Sequence, residues 1–200
     1  DACLVGSEMC IRDRSIGMGK SETARIFSGF GVPVYDADKA VHKLYKKNQK
    51  GTEAIKKIFP KAISPEGDVD RSILGDLVVG NKTNLKKLES VIHPLVGEDR
   101  LDFFEKNKDA KAVVLDIPLL FETGGERFVD YIVVVSTSYE IQKKRVLARK
   151  NMTEDKFNEI VLSQTPNDEK CKLASFVVDT SISIDEAKKQ VKNILLSLGL

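Results

Sequence analysis

Apolar positions along this chain follow two rhythms. Ala112-Val113-Val114-Leu115-Asp116 and Tyr131-Ile132-Val133-Val134-Val135 are continuous apolar runs, the pattern of strands buried on both faces of a parallel sheet. Shorter runs at Val32-Pro33-Val34-Tyr35 and Phe176-Val177-Val178-Asp179 predict further strands. Between them the spacing turns helical. Ile26, Phe27 and Phe30 line one side of a helix over residues 20–30, stopped by Gly29 and Gly31. A helical stretch carries Ala40, Val41 and Leu44, then Ala54, Ile55, Ile58 and Phe59 up to Pro60. Residues 61–81 read as turn-rich, Ser64-Pro65-Glu66-Gly67 being the clearest turn. A long helix follows, with a core stripe of Leu85, Leu88, Ile92, Leu95 and Leu101, which Pro94 should kink or restart. Helices over 139–150 and 153–162 come next, the second capped by Thr153, and a last helix opens with the capping box Ser183-Ile184-Asp185-Glu186. Strand and helix alternate, so the expectation is a three-layer α/β fold around a parallel central sheet.

The chemistry enters at Ser15-Ile16-Gly17-Met18-Gly19-Lys20-Ser21, where Gly-x-Gly-Lys-Ser runs into a helix. Glycines let backbone N–H groups close on phosphate oxygens, the helix presents its positive end, Lys20 reaches the β/γ phosphates and Ser21 ligates Mg²⁺. The full pattern wants a glycine where Arg14 stands, so the left edge of the loop is irregular. In open parallel sheets ligands gather beyond the carboxyl ends of the strands, which directs Asp36, Asp38 and Asp116 toward this loop. Phosphoryl transfer to an alcohol asks for this set: a divalent cation, a carboxylate for the hydroxyl, and cations over the moving group. Arg145 and Arg149, four residues apart in a predicted helix, are natural phosphate clamps.

Composition adds limits. Thirty-two basic against 30 acidic residues leave a net charge of +2, too balanced for nucleic-acid binding as a main activity. Of three cysteines, Cys171 stands alone in the body of the chain, which makes neither a disulfide framework nor a zinc site. With 42% hydrophobic residues and no apolar run of membrane-spanning length, a soluble, cytoplasmic domain acting on small molecules is expected, as a monomer or weak homo-oligomer with no membrane partner. His42 and His93 each stand alone in a helical pattern and read as packed or capping residues, and the lysine pairs at 46–47, 56–57 and 86–87 read as solvated helix faces.

Taken with Gly31-Val32-Pro33-Val34-Tyr35-Asp36-Ala37-Asp38, Val91-Ile92-His93-Pro94-Leu95, Leu115-Asp116-Ile117-Pro118-Leu119-Leu120-Phe121-Glu122 and Ser163-Gln164, these motifs resemble the dephospho-CoA kinase family over residues 15–196. The resemblance implies a P-loop NTPase fold with a helical substrate-binding insertion (about 50–108), a lid (about 141–170), and a nucleotide-binding core from 15–49, 109–140 and 171–200. It implies ATP and Mg²⁺ as cofactors and phosphorylation of the ribose 3′-hydroxyl of dephospho-CoA. Its ATP loop corresponds to Gly17, Met18, Gly19, Lys20, Ser21 and Glu22, with Arg149 beside it. Asp38 is its catalytic carboxylate, aided by Lys20 and Arg145, while Ser21 and Asp116 hold the metal. Asp36, His93, Pro118 and Leu119 face the acceptor. A nucleoside monophosphate kinase or another P-loop small-molecule kinase is the alternative enzyme, and a non-catalytic nucleotide-binding module the alternative from another class; a GTPase would show an Asn-Lys-x-Asp base-reading motif, and none is present.

This chain departs from that family pattern at two places. Where the family shows Ala-Asp and then Asp-Asn, it reads Ala174-Ser175 and Asp179-Thr180, which touches contacts on the adenine side. Residues 1–14 resemble translated sequencing-adapter read-through rather than the apolar first strand that should precede the loop, and only Met9, Cys10 and Ile11 suit that strand.

Overall fold

The computed structural model describes residues 7–12, 16–116, 129–162, 164 and 166–200. Arg14, Ser15, Pro118, Leu119, Phe121 and Ser163, all singled out above, lie outside the described residues. The chain divides into two compact units, one made of residues 1–35 and 107–200, the other of residues 36–106.

In the first unit lie β1 (Ser7–Arg12), β2 (Val34–Asp36, its last residue crossing into the second unit), β3 (Ala112–Asp116), β4 (Tyr131–Ser136) and β5 (Phe176–Asp179). They form one sheet in the order β2-β3-β1-β4-β5. The pairs β1–β3, β1–β4 and β4–β5 are parallel, with Met9 level with both Val114 and Tyr131. All of β3 is buried, as are Val133, Val134 and Val135 of β4. Successive side chains of a strand point to opposite faces, so helices must cover both sides of the sheet, the three-layer arrangement expected from the apolar runs. Ile26 and Phe27 of α1 (Lys20–Gly29) join Val114, Val133 and Val178 of the sheet and Val191 and Leu195 of α9 (Ile184–Ser197) in one core. Phe30, placed with them by spacing, is the C-cap of α1 and stays exposed.

Residues 36–106 are helical. They comprise α2 (Ala37–Leu44), α3 (Lys50–Ile58), a 3-10 turn at Pro60–Ala62, α4 (Arg71–Val78) and α5 (Lys82–Lys106). Ile55, Phe59, Leu74 and Ile92 lie at the centre of a separate core. Three expectations change here. The helical stretch after Asp38 is two helices, interrupted near Asn48, whose φ of 63° is left-handed. The stretch 61–81 holds its predicted turn, where Gly67 N–H donates to Ser64 O over 2.9 Å, but it also holds α4, started by the Asp70 carboxylate accepting from the Ser72 and Ile73 amides. Pro94 does not divide α5; the helix runs through it, with Leu88, Val91, Ile92 and Val96 packed on either side of the break in the backbone ladder. Leu85 and Leu101 of the expected stripe end 41% and 58% exposed, while Ile92 and Phe104 of the same helix are buried.

The remaining helices are α6 (Tyr139–Leu147), α7 (Glu154–Leu162) and α8 (Asn167–Lys172), the last not anticipated from the sequence. Ser138 caps α6, Thr153 accepts from the Lys156 amide at the start of α7, and Ser183 accepts from the Glu186 amide at α9 as the capping box requires. Among the described residues no helix is long and apolar enough to cross a membrane.

The segment Ser7–Arg12 occupies the central strand position, hydrogen-bonded on both edges. Its sequence places Glu8 and Arg12 in a slot where the neighbouring strands are continuously apolar. Replacing residues 1–14 with an apolar strand ending Leu-Thr-Gly should raise the melting temperature by about 4–8 °C, from about 2 kcal/mol of restored burial, and tighten ATP binding. Identical melting curves and ATP titrations would show that this strand tolerates its polar residues at no cost.

Candidate nucleotide site

The loop from Ile16 to Gly19 is held in shape by elements far away in sequence. Gly17 has φ 84°, and a Cβ there would lie 2.6 Å from Val146 Cγ2 and 3.2 Å from the Gln142 carbonyl, both on α6. Gly19 has φ 103°, and a Cβ there would meet the Thr180 side chain at 3.1 Å. Both glycines are therefore needed for backbone conformation and for space. Hydrogen bonds fasten the same contacts. Gln142 Nε2 donates to Ile16 O over 2.9 Å, and Thr180 Oγ1 donates to Met18 O over 2.6 Å.

Arg145 completes this clamp from α6. Its Nη2 donates to Thr180 O at 2.7 Å and its Nη1 to Thr180 Oγ1 at 2.9 Å, with a longer contact of 3.4 Å to Gly17 O. Thr180 also donates its amide to Ser136 O at 2.8 Å, so one residue after β5 ties β4, the loop and α6 together. The helical spacing expected for Arg145 and Arg149 does not persist. The helix α6 stops at Leu147, and Arg149 lies beyond it in a turn, exposed, its amide donating to Val146 O.

At the start of α1, as at α3 and α8, no side chain caps the backbone, whereas α2, α4, α6 and α9 each have a side-chain cap. The first amides of α1 are thus left for an anion at the positive end of the helix. Lys20 extends to Asp116 at the carboxyl end of β3, Nζ to Oδ1 2.8 Å, with the carboxylate side chain only 8% exposed. Ser21 sits in the first turn with its side chain in solvent, and Glu22 is drawn aside to Arg25 at 3.2 Å. Beside Gly19, Thr23 and Ile26 a cavity of about 320 Å³ opens toward Arg145, Ile182 and Ile184, the two isoleucines being 74% and 54% exposed.

In the helical unit, Asp36 ends β2 and caps α2, Oδ1 accepting from the Lys39 amide at 2.9 Å and Oδ2 facing Lys39 Nζ at 3.0 Å. Asp38 is exposed in the first turn of α2 and borders a cleft with His42 and Arg71. Neither histidine is packed: His42 accepts from Arg71 Nη1, and His93 is exposed on α5. Three contributors had no role read from the sequence. Gln142 belongs to the stretch through Arg145 and Arg149 that carries the family resemblance; Thr180 was visible only as a departure; and Arg71 was hidden inside the supposed turn region.

A parallel sheet in the order 2-3-1-4-5, with a glycine loop feeding an uncapped helix N-terminus and a lysine on a strand-end carboxylate, defines a P-loop phosphotransferase. The family model described as CoaE, dephospho-CoA kinase, matches residues 14–186. The chain belongs to the dephospho-CoA kinase family. It is 52% identical over 183 residues to the dephospho-CoA kinase of Bradyrhizobium diazoefficiens, covering 90% of each chain. Among solved structures it is similar to TT1252 from Thermus thermophilus, with a TM-score of 0.85 and 29% identity over 97% of this chain and 98% of that one. It is also similar to dephospho-CoA kinase from Campylobacter jejuni, with a TM-score of 0.65 and 26% identity over 96% and 97% of the two chains. The resemblance seen in the motifs is thereby borne out, and with it a kinase that uses ATP.

The clamp predicts a sharp effect at one residue. Thr180→Val keeps the shape but removes the hydroxyl between Met18 O and Arg145, and should weaken ATP binding about tenfold, from 1–3 kcal/mol of unsatisfied polar groups, while Thr180→Ser keeps most of the affinity. Calorimetric titration with ATP checks it. Unaltered affinity in the valine variant would mean that the loop holds its shape without Thr180.

Proposed function

We propose that this chain transfers the γ-phosphate of ATP to the ribose 3′-hydroxyl of dephospho-CoA, the last step of coenzyme A biosynthesis. The observation that carries the reading is the uncapped N-terminus of α1 with Lys20 poised on Asp116, in a chain of this family.

The loop amides and the first turn of α1 hold the phosphates, and Lys20 turns from Asp116 to the β and γ oxygens as they arrive. The adenine fits the cavity between α1 and the loop after β5, its faces against Ile182, Ile184 and the planar guanidinium of Arg145. Since Arg145 is anchored to Thr180 and to the loop carbonyl of Gly17, it acts from a fixed position, whereas Arg149, exposed beyond α6, is left to screen phosphate charge. The hydroxyl of Ser21 and the carboxylate of Asp116 are hard oxygen donors suited to Mg²⁺, which takes few protein ligands together with phosphate oxygens and water. When bound there, Mg²⁺ neutralises charge on the transferring phosphate.

Of the two carboxylates after β2, Asp36 is engaged in capping α2 while Asp38 is open to solvent and to the cleft. This favours Asp38 as the group that orients the 3′-hydroxyl and takes its proton. Residues 36–106 carry the acceptor side, His93 included, and residues 141–170 act as the lid over ATP. The partners are then the two small-molecule substrates alone, in the cytoplasm, with the protein a monomer or weak homo-oligomer.

A coupled ADP-release assay with dephospho-CoA, AMP and shikimate as rival acceptors tests the assignment. Dephospho-CoA should be turned over far better than either, and equal turnover of AMP would move the chain to the nucleoside monophosphate kinases. Asp38→Asn should lower kcat by about 10²–10⁴ with ATP affinity retained, whereas Lys20→Ala should weaken both binding and turnover. A nearly normal kcat in the Asp38 variant would shift the role to Asp36 or Asp116.

A further inference from the structure

Four lysines of the helical unit have carboxylate partners. Lys39 pairs with Asp36, Lys43 with Asp99, Lys46 with Asp68 and Lys50 with Glu98, all at 2.7–3.0 Å. The Asp99 carboxylate raises the Lys43 ammonium above its ordinary value, and the Lys47 amide with the Lys46 ammonium lowers the Asp68 carboxyl below its own. Arg71 is different. It opens α4, and among the described residues its guanidinium meets no carboxylate within ion-pair distance; its hydrogen-bond partner is the imidazole of His42. In this contact Arg71 Nη1 donates and His42 Nε2 accepts. The contact steers the guanidinium without cancelling its charge.

The surroundings of Arg71 suit a ligand. A cleft of about 340 Å³ has Leu74, Val78 and Leu88 as its apolar wall and Asp38, His42 and Arg71 at its polar edge. Tyr45 lies in the same cleft; burial pushes its phenol up, and the nearby Arg71 charge acts against that rise. Asp38, the carboxylate assigned to the 3′-hydroxyl, thus shares a cleft with a cation that presents planar donors, the geometry that grips phosphate in bidentate fashion. The acceptor carries a diphosphate on the same ribose whose 3′-hydroxyl reacts.

We infer that Arg71 is the anchor for the acceptor's diphosphate, held in its rotamer by His42, and that it supplies binding energy for the acceptor in the cleft that Asp38 borders. The inference rests on the acceptor reading above and adds to it the residue that selects a phosphorylated acceptor. Arg71 contacts substrate in this account, while His42 is a positioning residue.

The test compares dephospho-CoA with adenosine, which has the ribose and base but no phosphate. In steady-state assays Arg71→Met should raise KM for dephospho-CoA about 10–100-fold, with kcat at saturation changed less than about 3-fold and KM for ATP unchanged, the pattern of lost ground-state binding. Arg71→Lys should recover part of the loss, and calorimetric affinity for adenosine should not move. His42→Ala should give a smaller rise in the same KM. An unchanged KM, or an equal loss for dephospho-CoA and adenosine, overturns the anchor. The binding arm separates the two readings: if the unaltered protein binds dephospho-CoA without phosphorylating it, the catalytic reading falls while the anchor is still judged by the affinity of Arg71→Met. No binding of dephospho-CoA at all overturns both. Melting temperatures of the variants identify any that lose binding merely by unfolding.

Discussion

Every functional element of the nucleotide-binding unit depends on how closely α6 and the loop after β5 press on the backbone of residues 16–19. There is no room for a Cβ at Gly17 beneath Val146, nor easily at Gly19 beside Thr180. The carbonyls of Ile16, Gly17 and Met18 accept from Gln142, Arg145 and Thr180 in turn, so the loop's acceptors are directed away from the phosphate side. Its donors and the opening amides of α1 are then what an incoming anion meets. In a site of low dielectric such preorganised donors are worth far more than in water, because they need not rearrange when charge arrives.

The same economy of polar groups separates structural from functional charge elsewhere. Asp36, Asp70, Ser138 and Ser183 are occupied with capping helices, and Lys39, Lys43, Lys46 and Lys50 of the helical unit have carboxylate partners. Exposed pairs of that kind add little stability, typically under about 1 kcal/mol each, but they identify which side chains are already engaged. On the proposed reading, Lys20 on a buried carboxylate, Asp38 without an ion pair among the described residues, and Arg71 hydrogen-bonded to His42 are the groups left to meet substrate. On that reading each unit offers an anion-binding cation, one for the donor nucleotide and one for the acceptor.

The long apolar strands were legible because burial on both faces leaves no alternation to confuse, and the P-loop because each of its residues has a separate job. Thr153 and the Ser183 box marked helix starts correctly, since capping is a local contest between a side chain and water. The failures share a cause. The helix α4 is short, holds Gly75 in its interior and lies among turn residues, so its local signals favoured loop; burial of Leu74 and the Asp70 cap tipped the balance. Leu85 and Leu101 follow helical spacing faithfully yet stay exposed, because periodicity says which face is apolar and not how far the core extends.

What the sequence by itself determined was the family and a set of candidate groups: within the glycine loop with Lys20, and within each strand-end aspartate motif, the residues are close neighbours along the chain, and that local spacing survives any packing. What only the tertiary structure decided was the state of each group. It ended α6 before Arg149, drew Arg145 down onto Thr180, turned Asp36 into a cap and brought Arg71 of α4 to His42 of α2. Those outcomes join residues up to 162 positions apart, as Thr180 and Met18 are. Contacts across such separations form only when the core closes, and no local pattern encodes them.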